Sequence, residues 1–260
     1  MFKRVYILFV AAALSFFIMI KDSVAQAPEV LWAKTFGGSD NDFGNCVRQT
    51  SDGGFIIAGS TASSGAGNRD AWLIRTDSSG NALWSKTIGG TEMEEAYSVW
   101  QNRDGGFILT GQIRSTPADS IDILLARTDS SGNLMWVKTY GGPGSQVGRS
   151  VQQNSDGGFI VAGSKTLDSA HHSEALLLLT DSSGNEIQFK GFRRGDYDYA
   201  MCVVQSTAGG YTFCGWTAES NLHYNAWFVS TDPSLNLLND KVYGDSLTEY
   251  GESLKQTPDG

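Results

Sequence analysis

An all-β fold, a β-propeller built from four-stranded antiparallel blades, is predicted by three observations. The sequence repeats internally with a step of 52 residues. Glycine-rich turn signals recur at fixed places in each repeat, and short β-rich apolar runs lie between them. The stretch TSDGGFIIAGST begins at Thr50, and close copies begin at Asn102, Asn154 and Ser206, with Gly-Gly pairs at Gly53, Gly105, Gly157 and Gly209. A second marker, TDSSGN, supplies Asp77, Asp129 and Asp181, with a weaker copy, TDPSLN, at Asp232. Tryptophan follows the marker at Trp84 and Trp136, and an equivalent Trp32 precedes the first full copy; Gln188 and Asn239 take its place in the later ones.

Each repeat reads as two hairpins. CVRQT and FIIAGS are joined by SDGG, whose Asp-Gly and Gly-Gly steps provide the positive φ angles of tight turns. AWLIRTD and ALWSKTI are joined by SSGN. Four short strands in about 50 residues match the size of a propeller blade. A lone sheet with apolar residues on both faces is unstable in water, and stacking blades face to face covers them. A β-sandwich needs no fixed period, and a parallel β-helix has a much shorter one.

The expected blades cover residues 43–88, 95–140, 147–192 and 199–243, with the start of a fifth at 250–260, inside a propeller domain spanning 26–260. VLWAKTFGG, near Val30, reads as a fourth strand without its predecessors. Propellers often close their ring by letting an N-terminal strand complete the last blade. The expectation is an incomplete ring, four full blades plus flanking strands, in a propeller of six to eight; a closed ring of four is the alternative.

Residues 1–25 read as a signal peptide: Lys3 and Arg4 precede an apolar run from Val5 to Ile20, and SVAQA offers small residues for cleavage after Ala25. An uncleaved membrane anchor is the second reading of the run. No later segment is apolar for long enough to span a bilayer, so no membrane span is expected after cleavage. The localisation expected is secreted or outer cell surface. Cleavage takes the formal charge from −9 to −11. So acidic a chain argues against nucleic acid and anionic membranes as partners. Three cysteines, Cys46, Cys202 and Cys214, do not make a disulfide framework. Buried free thiols are expected. A two- or four-residue turn would send Cys202 and Cys214 to opposite faces, and a three-residue loop would put them on the same face.

The pattern W.KT.GG…V.QT.DGGFI.AG…RTDSSGN..W resembles secreted bacterial β-propeller repeat proteins of Bacteroidetes type, over nearly all of residues 30–260. Some such proteins are similar to chains labelled endoglucanase. The order Asp77, Gly80, Trp84, repeated at Asp129, Gly132, Trp136, also resembles the docking motif of quinoprotein propellers, with a turn one residue shorter. That resemblance implies blade architecture. Quinone binding would call for a vicinal disulfide or a stacking Trp with calcium-holding carboxylates, and no Cys-Cys pair exists.

Positions that vary between repeats are where a site would lie. Acidic residues recur before the first strand (Asp42, Glu94, Asp198, Glu249, with Gln146 in the third copy) and before the third (Asp70, Asp122, Glu174, with Asn225 in the fourth). Both sets belong on one face, where a carboxylate ring would suit calcium or a cationic ligand. The preferred reading is structural. Each residue of the first set follows a repeated lysine (Lys34, Lys86, Lys138, Lys190, Lys241) by eight residues, which suggests a local ion pair or turn contact between blades. The loops TLDSAHHSEA and RSTPADSID hold His171, His172, Glu174, Asp119 and Asp122, a set that could meet at a metal, against the reading of exposed loops. In the fourth repeat Tyr197, Tyr199, Trp216, His223, Tyr224 and Trp227 gather aromatic groups that suit either a sugar ring or core packing. The candidate ligand-binding residues are therefore Asp70, Asp122, Glu174, His171, His172, Trp216 and Tyr224. No nucleophile motif, phosphate loop or zinc signature is present. The function read from the sequence is a secreted or cell-surface scaffold binding an extracellular protein or glycan, with no cofactor except calcium considered. A carbohydrate-active hydrolase using the face carboxylates is the second reading, and a quinoprotein-like oxidoreductase the third.

Overall fold

The computed structural model describes residues 30–115, 120–167, 170–219, 223–245 and 247–257. Residues 1–25, Asp119 and Asp168 lie outside the described residues. The chain separates into Met1–Ala33 and a unit from Lys34 onward, and the fold below is that of the second unit.

Sixteen strands among the described residues form four blades. The first comprises β1 (Asp42–Gln49), β2 (Phe55–Thr61), β3 (Asp70–Thr76) and β4 (Ala82–Ile88). The second comprises β5 (Glu94–Gln101), β6 (Phe107–Ser115), β7 (Ser120–Thr128) and β8 (Leu134–Tyr140). The third comprises β9 (Gln146–Gln153), β10 (Phe159–Thr166), β11 (Ser173–Thr180) and β12 (Glu186–Phe192), and the fourth β13 (Tyr197–Gln205), β14 (Tyr211–Ala218), β15 (Tyr224–Thr231) and β16 (Leu237–Tyr243). Within each blade the strands pair antiparallel in chain order. Neighbouring blades touch edgewise through single parallel bridges, Arg69 with Met93 and Ser173 with Tyr197. The first strands gather around the interior, where one cavity is lined jointly by Arg48, Trp100, Gln152, Cys202 and Gln256.

The apolar alternation decides how the blades stack. Side chains of a strand leave on alternate faces. In the second blade Phe107, Leu109, Leu124 and Ala126 join the cluster shared with the first blade. Their sequence neighbours Ile108, Ile123 and Leu125 join the cluster shared with the third. The third blade does the same with Phe159, Val161, Leu176 and Leu178 on one side and Ile160, Ala162, Ala175 and Leu177 on the other. Three apolar clusters thus lie between four sheets. Burying a Phe or Leu side chain contributes roughly 1.5–3 kcal/mol.

The TDSSGN turns form a second link between blades. Asp129 accepts hydrogen bonds from the Ser131 and Asn133 amides and from Asn133 Nδ2, each at 2.9 Å, a closed Asx turn. Gly132 has φ 77°, and a Cβ there would stand 2.9 Å from the Trp84 ring and 3.0 Å from Lys86 of the preceding blade. Gly184 repeats this against Trp136 and Lys138. The repeated lysines reach the same turns: Lys138 Nζ donates to Asn185 Oδ1 at 2.7 Å and Lys190 Nζ to Asn236 Oδ1 at 3.3 Å. The lysine partners are therefore in the turn of the next blade, not the acidic residues eight positions on, because the outer strand lies against that turn.

The fourth turn departs from the pattern in two compensating ways. Gln188 replaces the docking tryptophan, and Leu235 replaces the turn glycine with φ 57°. The Leu235 side chain is fully buried in the cluster between blades three and four, and Gln188 Nε2 donates to Ser234 O at 3.1 Å. A leucine on the turn thus supplies from one side the apolar bulk that a tryptophan supplies from the other.

The hairpin from β13 to β14 closes through the five residues 206–210, and Cys202 stands directly opposite Cys214 on the same face. The loop is longer than the two-, three- and four-residue turns expected from the sequence, and being odd in number it gives the same-face result.

Two outcomes follow from the stacking. Phe159→Ala should destabilise the fold by about 3–5 kcal/mol in urea unfolding. Leu235→Gly should cost about 1–3 kcal/mol, the lost packing being offset partly by relief of a left-handed leucine; adding Gln188→Trp should recover part of that loss, a coupling of about 0.5–3 kcal/mol in a double-mutant cycle.

Candidate functional site

First and third strands begin on one face of the blades, here the upper face, and the DGG and TDSSGN turns lie on the other. The heads of the first strands hold the loops between blades. Asp42 takes a hydrogen bond from the Gly38 amide at 2.8 Å, Glu94 from Gly90 at 3.3 Å, Gln146 from Gly142 at 3.1 Å and Asp198 from Arg194 at 2.8 Å. Gln146 does this with an amide oxygen, so the role needs an acceptor rather than a charge. The heads of the third strands, Asp70, Asp122, Glu174 and Asn225, lie against Gly89, Gly141, Gly191 and Gly244, where any side chain would collide with them.

Asp70 and Glu94 both close on Gly89 and are 1 % and 2 % exposed. Burial raises the Glu94 carboxyl above its usual range; the Gly90 amide opposes this and the neighbouring Asp70 and Glu92 charges add to it. These carboxylates stabilise loops and are shielded from any solvent-borne substrate. Among the described residues no three His, Cys, Asp or Glu side chains converge to hold a metal ion. His171 is exposed with φ 63°, while the His172 ring meets Tyr197 edge-on at 5.6 Å; the described members of the two loops do not form the metal cluster considered from sequence.

The positions that differ most between blades lie one step inside these heads. The equivalent cross-strand pairs are Phe43 with Ser60, Glu95 with Gln112, Val147 with Ser164 and Tyr199 with Trp216. In the second blade Glu95 is the centre of a polar network. It pairs with Arg69 at 2.5 Å, accepts from Tyr97 Oη at 2.5 Å and from Gln112 Nε2 at 3.0 Å. Burial, then the hydrogen bond to Glu95, pushes the Tyr97 phenol well above its usual value. The Arg149 guanidinium lies 4.6 Å above the Tyr97 ring, and its Nε is buried without a hydrogen-bond partner.

In the fourth blade the same positions are aromatic. Tyr199 stacks on Trp216 at 3.9 Å between centroids. Tyr224 meets Trp216 edge-on at 4.7 Å and lies nearly parallel to Tyr250 at 5.7 Å, and Tyr250 reaches Trp216 at 5.8 Å. Tyr250 is 51 % exposed and the other three are half-buried. A cavity of about 290 Å³ is lined by Thr217, His223, Asn225, Arg194 and Glu219 and by none of the four rings, because Thr217 and Asn225 pair on the face of the sheet opposite Trp216 and Tyr224. Trp227, by contrast, is a core residue.

The structure thus brings together Trp216 and Tyr224 of the sequence candidates and adds Tyr199 and Tyr250. It places Asp70 among buried loop contacts and Asp122 and Glu174 over loop glycines. The Arg69–Glu95–Tyr97–Arg149 network was not singled out from the sequence. Its only signal there is that Glu95 and Tyr97 occupy repeat positions filled by Phe43 and Asn45, Val147 and Arg149, or Tyr199 and Met201 in the other copies.

No protein-family model matches the chain, and no curated protein matches it. Among solved structures it is similar to a thermostable family-43 glycoside hydrolase at 12 % identity, with 82 % of this chain and 76 % of that one covered and a TM-score of 0.48. It is also similar to an endo-arabinase from Bacteroides thetaiotaomicron at 11 % identity, covering 78 % and 75 %, with a TM-score of 0.41. A tail fibre of Staphylococcus aureus phage P68 matches at 8 % identity over 78 % of this chain and 50 % of that one, with a TM-score of 0.25.

The Glu94 carboxyl carries a pH signature. A carboxyl raised on folding favours the folded state while protonated, and that advantage is lost as pH climbs from the unfolded value through the folded one. Glu94→Gln keeps the acceptor and removes the charge, so it should raise the unfolding midpoint at pH 7 and have little effect near pH 4, as read by thermal melts across that range.

Proposed function

We propose that this chain is an extracellular or cell-surface β-propeller scaffold that binds carbohydrate on its upper face without turning it over. The observation that carries the reading is the aromatic group Tyr199, Trp216, Tyr224 and Tyr250, in which Trp216 stands where the other blades hold Ser60, Gln112 and Ser164. Rings in mutual contact are held in place by one another, and a half-exposed platform of this kind offers an apolar face to the C–H side of a sugar. Asp70 and Glu94, the two face carboxylates that close on one glycine, are engaged with loop amides and buried, which favours binding over hydrolysis at that pair. The net charge of −9 supports a neutral ligand over a polyanion. The apolar run with its small-residue cleavage site supports export.

Screening the chain against a glycan array, followed by calorimetry on the best ligand, tests the reading. Trp216→Ala should weaken binding about tenfold or more, equivalent to about 1.4 kcal/mol, with the circular dichroism spectrum unchanged and no release of reducing ends. Binding that survives Trp216→Ala and Tyr250→Ala unchanged, or no glycan bound at millimolar concentration, would overturn it.

A further inference from the structure

Cys202 on β13 and Cys214 on β14 are direct partners in an antiparallel ladder, so their side chains leave the sheet on the same face. Residues so paired stand at separations that a disulfide can span. All three cysteines are free thiols. The two members of the pair differ in access: Cys202 is 8 % exposed and borders the interior cavity of about 350 Å³ beside Arg48, whereas Cys214 is fully buried behind it. As a thiol, Cys202 lies 3.7 Å from Leu254 O, the carbonyl of the segment laid against the fourth blade.

The surroundings favour ionisation of the outer sulfur. The Cys214 thiol donates toward Cys202 and is the largest influence lowering it; burial opposes, and the Arg48 charge assists. The same contact, with burial, pushes Cys214 up. One sulfur is therefore a thiolate candidate open to a cavity, and the other a protonated thiol placed to react with it.

We propose that Cys202 and Cys214 form a peroxide-responsive dithiol, in which a hydroperoxide oxidises Cys202 and Cys214 resolves it as a cross-strand disulfide. In the first step the Cys202 thiolate attacks one peroxide oxygen, the S–O bond forms, the O–O bond breaks, and hydroxide leaves to be protonated by solvent. In the second, the Cys214 sulfur attacks Cys202, the S–S bond forms, the S–O bond breaks, and the Cys214 proton leaves with the departing oxygen as water. The sum consumes two thiols and one hydrogen peroxide and yields one disulfide and two waters. The product bonds the innermost strand of the fourth blade to its neighbour and removes the Cys202 thiol proton directed at Leu254. Cys46 is a control built into the chain: it holds the same repeat position in the first blade, but its ladder partner is Ala58.

The full chain, reduced beforehand and freed of reductant, is titrated with hydrogen peroxide and read by intact mass, thiol alkylation and non-reducing peptide mapping. The expected result is a loss of two hydrogens, a peptide linking Cys202 to Cys214, and Cys46 still alkylatable. Cys214→Ala should instead leave a sulfenic acid at Cys202 that dimedone traps, and Cys202→Ser should abolish both products. Three alkylatable thiols after an equivalent of peroxide has been consumed, over-oxidation of Cys202 in the unsubstituted chain without a linked peptide, or the same product from the unsubstituted chain and Cys214→Ala would each overturn the proposal.

Discussion

Every other feature depends on the fact that each sheet is apolar on both faces. Alternate residues of a strand point to opposite sides, and in FIIAG, FILTG and FIVAG both sets are apolar or small. Such a sheet is stabilised by a neighbour against each apolar face, as the second and third blades are, and three such junctions join the four blades. Phe107 and Ile108 are adjacent in sequence and belong to different clusters, on opposite sides of one blade. The repeat is the simplest way to satisfy this, because a sheet that fits its predecessor also fits its successor.

What the repeat shares, the packing uses. The docking tryptophans, the turn glycines and the lysines all serve the junction between an outer strand and the next turn. The exchange at Gln188 and Leu235 demonstrates that the junction selects for filled volume rather than for particular residues. The acids at strand heads follow the same logic, since Gln146 substitutes for a carboxylate without loss of the hydrogen bond. Individuality is left to the positions just inside those heads, where the second blade carries a charged network and the fourth an aromatic group. Function is proposed where the copies diverge.

Strand order, hairpin turns and blade size were legible because they depend on residues close in sequence: Asp-Gly, Gly-Gly and the Asx turn act locally. The partner of each lysine was not legible. The constant offset between lysine and acid is a property of any exact repeat, and the true partner, such as Asn185 for Lys138, lies 47 residues away. The aromatic site was half legible. Trp216 and Tyr224 stood out by density in one repeat, but Tyr250 belongs to the next one and reaches Trp216 because its segment is hydrogen-bonded to the fourth blade, Glu249 N to Tyr224 O and Gly251 N to Gly215 O. Arg69, Glu95 and Arg149 come from three blades, and in each the residue looks like an ordinary solvated charge.

By itself the sequence determined the blade: its strands, its turns and its need for neighbours, since periodicity and glycine placement act over a few residues. The tertiary structure decided which side chains meet between blades. It buried Asp70 with Glu94, set Cys214 behind Cys202 and drew four aromatic rings into contact. The physical reason is that contacts across a junction depend on register and on the closeness of two sheets, and neither is written in the residues of one repeat.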